Sequence, residues 1–106
     1  MIHLTFRRVR PDQLERLKAW FAEAQDRSDE VRQTFAGEGV THEQAFLLET
    51  GEGTIFVGAI ECQDYKAAAE VFKHSEFPID VKHREIMPQL FDGAAELTRI
   101  LDVRLL

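Results

Sequence analysis

Cysteine occurs once in the chain, as Cys62, and asparagine not at all. A lone thiol cannot close an intrachain disulfide, which fits a reducing compartment. At the end of an apolar run, Cys62 reads as a small buried side chain, and no basic neighbour is there to make it reactive. Basic residues are also in the minority: 13 Lys and Arg stand against 19 Asp and Glu, a net charge of −6. Nucleic acid and anionic membrane both reward a basic patch, and the cluster Arg7-Arg8-Val9-Arg10 is too short to supply one. Long hydrophobic runs are missing as well, so neither a signal peptide at residues 1–7 nor a membrane span is expected. The expected location is the cytoplasm. No Gly-rich phosphate loop, nucleophile elbow or paired-cysteine zinc signature appears, and no cofactor or metal is expected.

What is present suffices for one ordinary domain over residues 1–106, with 44% hydrophobic and 30% charged residues. Its centre is residues 44–62, two β-rich runs around Gly51-Glu52-Gly53, which is a hairpin signature. In the second run Ile55, Val57 and Ala59 alternate with Phe56, Gly58 and Ile60, so both faces of that strand are apolar and both need cover. Upstream, Ile2, Leu4 and Phe6 alternate with His3, Thr5 and Arg7, a half-buried strand. From Pro11 the period changes to that of an amphipathic helix carrying Leu14, Leu17, Trp20, Phe21 and Ala24. It runs to Gly37 and Gly39 either unbroken or with a break near Arg27. Residues 40–43 read as a connector.

After the hairpin, Asp64 caps a helix over residues 65–73. The segment from His74 to Pro78 breaks it. Asp80 reads as the N-cap of a further helix to about residue 91, which Pro88 must kink or divide. Alternation returns over residues 95–105, read as the last strand. The order βαββαβ defines a ferredoxin-like two-layer α+β sandwich: an antiparallel sheet, its first and third strands central, with helices on one face. The other face, assigned to Phe56, Ile60 and their neighbours, would forfeit about 1.5–3 kcal/mol per large side chain in water. A second copy packed sheet to sheet through a two-fold axis is the expected remedy, hence a homodimer.

This layout resembles the dimeric α+β barrel superfamily. The stretches 53–61, Asp64-Tyr65 and above all 74–84 (His-Ser-Glu-Phe-Pro-Ile-Asp-Val-Lys-His-Arg) are similar to a small family of uncharacterised bacterial proteins within it. The superfamily spans monooxygenases, haem-degrading enzymes, mutarotases and ligand-sensing domains, so the fold alone selects no function. Haem degradation there uses an Asn, Trp and His set. With no asparagine and its single Trp on the first helix, this chain does not inherit that activity.

The residues that could carry chemistry cluster in the same segment. His83 lies three positions after Asp80, so a carboxylate could orient the imidazole as a general base. His74, Tyr65, Arg84 and Trp20 are candidates to bind a ligand, with Ser75 nearby. His3 could face a cavity or a dimer interior, and His42 reads as exposed. The expected function is small-molecule binding between helices and sheet. The alternatives are a cofactor-independent monooxygenase or isomerase using His83 and Asp80 as an acid–base pair, or a structural and assembly domain. A cavity lined by His83 with Tyr65 or Trp20 would favour the enzyme.

Overall fold

A computed structural model describes residues 1–105. Strand β1 (Ile2–Val9) leads through a short 3-10 turn at Pro11–Gln13 into α1 (Leu14–Asp26) and α2 (Ser28–Glu38). The hairpin β2 (Val40–Thr50) and β3 (Gly53–Cys62) follows, then α3 (Tyr65–His74), α4 (Pro78–Leu90) and β4 (Phe91–Ala94). The strands lie in the order β2-β3-β1-β4, antiparallel throughout, so β1 and β3 are the central pair of a ferredoxin-like sheet.

The first helical stretch is broken at Arg27. Its guanidinium holds Glu23 on one side at 2.7 Å and Glu30 on the other at 2.7 and 2.9 Å, bracing the corner between α1 and α2. Gly39 ends α2 in the left-handed region, φ 75°, where its N–H returns to the Phe35 carbonyl. The connector expected at residues 40–43 is strand: Val40 pairs with Cys62 and Glu43 with Ile60. At the hairpin, the Thr50 hydroxyl accepts from Glu52 N–H and donates to Gly53 O, while Gly53 supplies the positive φ of 124°.

Asp64 caps α3 as expected, accepting from Ala67 N–H at 3.0 Å. In α4 the expectation for Asp80 needs correction. Pro78 opens the helix after Phe77, so Asp80 sits inside the first turn rather than at the cap. The helix is not divided at Pro88 but runs two residues further, to Leu90. The strand read over residues 95–105 is also corrected. The β1 ladder is used up by Phe91–Ala94 and a last bond from Ala95 N–H to Phe6 O. Residues 95–105 are exposed and belong to no strand.

Register overturns the assignment of the two sheet faces. On β3 it is Phe56, Gly58 and Ile60 that face the helices, level with Arg7, Thr5 and His3 of β1 and with Leu47, Ala45 and Glu43 of β2. The open face carries Ile55, Val57 and Ala59 with Leu4, Phe6, Phe46 and Leu48. Bulk decides this: Phe56 is buried against Val9, Leu17, Leu90 and Phe91, whereas Val57 and Ala59 offer a flatter surface. Phe46 and Leu48 are 51% and 49% exposed there.

Candidate functional site: a cavity that divides the core

The interior is built as two clusters. One joins Val9, Leu17, Phe56, Leu90 and Phe91; the other joins Val40, Cys62 and Ala68, with Tyr65 and Ile60 packed on it. Between them lies a cavity of about 180 Å³, walled on one side by Phe21, Phe56 and Met87 and on the other by Val40, Tyr65 and Ala68. The gap follows from the middle row of the sheet, where β1 offers Thr5 and β3 offers Gly58, cross-strand partners without bulk. A Cβ on Gly58 would stand 2.7 Å from Thr5 Oγ1 and 3.3 Å from the Phe56 ring, so this floor requires glycine.

His83 projects from α4 into the cavity. Its Nδ1 accepts a hydrogen bond from the Trp20 indole N–H of α1 at 2.9 Å. An indole N–H only donates, so Nδ1 is the unprotonated nitrogen and Nε2 carries the proton. Burial, helped by the nearby charge of Arg7, holds the imidazole pKa down to about 4. His83 is therefore a neutral N–H donor at physiological pH, clasped edge-on by Phe21 and Phe72.

Asp80 lies one turn earlier on α4, at only 6% exposure. Its Oδ2 has no hydrogen-bond partner among the described residues. Burial raises its pKa, against the pull of Ser75 and Arg84. The bond that orients His83 thus comes from Trp20, whereas Asp80 acts on two other carboxylates. Glu38 is pushed up to about 7, first by burial and then by repulsion from Asp80. Glu43 is raised by the same two causes in the same sequence. Glu43 keeps much of its surface accessible, so the effect is that of a crowded concave wall rather than a dry interior.

The remaining expected residues divide. Tyr65 lines the cavity and stacks on His3 with ring centres 3.4 Å apart. Arg84 points away: its guanidinium donates to the Phe72 and Ser75 carbonyls at 2.6 and 2.7 Å and closes the end of α3. His74 is exposed on α3 and paired with Glu70 at 3.0 Å. His42 is exposed on β2. Sequence reasoning did not pick out Arg7, Thr5, Glu38, Glu43 or Gly58 as cavity residues. The signal lay in β1, where a polar face of His3, Thr5 and Arg7 is the one turned to the helices. The described residues include no group of three or more His, Cys, Asp or Glu placed to hold a metal ion, and no helix among them is long and apolar enough to cross a membrane.

A four-stranded antiparallel sheet of order β2-β3-β1-β4 with helices on one face is a ferredoxin-like α+β domain. The chain belongs to a family of unknown function, DUF6176, whose model matches residues 1–105. Among solved structures it is similar to Rv0793 from Mycobacterium tuberculosis, at 19% identity and a TM-score of 0.54 over 96% of this chain and 94% of that one. This likeness is one of fold. No curated protein matches the chain.

Proposed function

We propose that the protein is a cytoplasmic small-molecule-binding domain whose ligand sits between helices and sheet, and that it works as a homodimer paired through the open sheet face, as dimeric α+β barrels are. The divided core carries the first part of the reading. An ordinary core at this size would close on Phe and Leu side chains; here Gly58 and Thr5 keep about 180 Å³ free and polar groups converge on it. An apolar cavity of about 150 Å³ holds benzene, so the occupant is ring-sized. The purely structural reading has less support, because a packing domain has no use for that space.

The second part rests on the open face. Leu4, Phe46 and Leu48 are exposed on it. Arg8 and Glu61 stand towards its opposite ends. A two-fold axis that reverses strand direction lays the Arg8 end over the partner's Glu61 end, so the face complements itself.

His83 and Tyr65 do line one cavity, the arrangement expected of an acid–base enzyme, but His83 as base has less support, since Trp20 occupies the lone pair such a base would use. The cavity is tested by Ala69→Phe, a change on the cavity wall from an exposed position of α3. In a screen of ring-sized fragments, hits should shift the backbone amide resonances of Tyr65 and Phe72 in the native protein and lose that effect in the variant. Hits that bind both forms alike would contradict the reading.

A further inference from the structure

Charges of both signs stand around the cavity without pairing. Arg7, Glu38 and Glu43 line it, and none of them is in an ion pair with another of the described residues. Register keeps them apart. Glu43 is level with Ile60 and His3, Arg7 with Phe56, and four residues of strand separate the two rows by about 13 Å.

At one end Glu38 and Glu43 both line the cavity, and the charge of Asp80, behind the wall, bears on both. That end offers hydrogen-bond acceptors. At the other end Arg7 and His83 both line the cavity, and the His83 Nε2–H is left free by the Trp20 bond. That end offers donors. Between them the floor is Thr5 and Gly58, with Phe56 level with Arg7 and Tyr65 stacked on His3.

We propose that the cavity takes a small amphoteric molecule, with an amine seated at Glu38 and Glu43 and a carboxylate or other oxygen acceptor at Arg7 and His83, bridged by a flat or aliphatic spacer. This inference rests on the cavity being the ligand site. It adds that the ligand is double-ended, because an occupant with one charge would leave the opposite end unanswered.

The test uses three probes of one shape on the full chain: para-(aminomethyl)benzoate, para-methylbenzoate and para-methylbenzylamine. Binding is followed by titration of the Tyr65 and Phe72 amide resonances. The double-ended probe should bind about ten-fold tighter than either single-ended one, the return on one more charge-assisted hydrogen bond. Glu43→Gln, an accessible position on an edge strand, should abolish its advantage over para-methylbenzoate. Arg7→Gln should abolish its advantage over para-methylbenzylamine. Equal binding of all three probes, or a preference untouched by both substitutions, would overturn the double-ended ligand while leaving the cavity reading in place. Failure of every probe to move the two resonances would overturn both.

Discussion

The bond from the Trp20 indole to His83 Nδ1 sets what that imidazole can do, because it fixes where the proton sits. On the sequence, His83 pairs naturally with Asp80, three positions away on one helix. Its actual partner comes from α1, 63 residues distant, and no spacing rule reports such a contact. The titratable groups of the cavity give opposite pH signatures. His83 titrates near 4 when folded against a reference of 6.5, so the unfolded chain takes up its proton first. Its contribution therefore loses stability as pH falls through that window. Glu38 titrates near 7 against 4.5, so the folded chain keeps its proton longer, and its contribution is lost as pH rises through that window. In thermal melts, His83→Gln should compare best with the native protein at about pH 4, and Glu38→Gln at about pH 8. The same trend for both variants would refute this assignment of charges. Trp20→Phe should release Nδ1, and the imidazole nitrogen shifts of His83 should then report a mixture of tautomers.

Strands show both the reach and the limit of pattern reading. Alternation located β1 and β3, and the paired glycines located the hairpin. Alternation alone, however, says that two faces differ and not which one meets the helices. The alternation of β1 left its two sides unassigned, and its polar side, His3, Thr5 and Arg7, is the one turned to the helices, where a cavity lies. At the C-terminus the alternation of residues 95–105 is real in the sequence but finds no partner strand in its own chain. Gly58 and Thr5, cross-strand partners, test how the floor is built. Gly58→Ala should cost about 1–3 kcal/mol by overpacking. Thr5→Ala should recover part of that loss in the double variant, since the atom in the way is Thr5 Oγ1. Chemical denaturation of the four forms measures the coupling, and strictly additive losses would contradict the contact. At the other end of α3, Asp64→Ala should cost about 1 kcal/mol, the value of a helix N-cap.

The whole molecule is two-sided: one sheet face closes over a cavity and the other is apolar and open. That the sheet is apolar on both sides was legible from β3 alone. Which residues lie on which side was not, because that depends on how Phe56 packs against α1 and α4. Residues 95–105 add Leu97, Ile100, Leu101, Val103 and Leu105 to the exposed apolar surface. A second copy is proposed to cover the open face. Val57→Lys, at the centre of the open face, should then weaken self-association while leaving the helix-side cavity and its probe binding intact. The most direct measurement is the mass of the native protein by sedimentation equilibrium at low micromolar concentration. Pairing predicts twice 12.2 kDa, and a species of 12.2 kDa would contradict it.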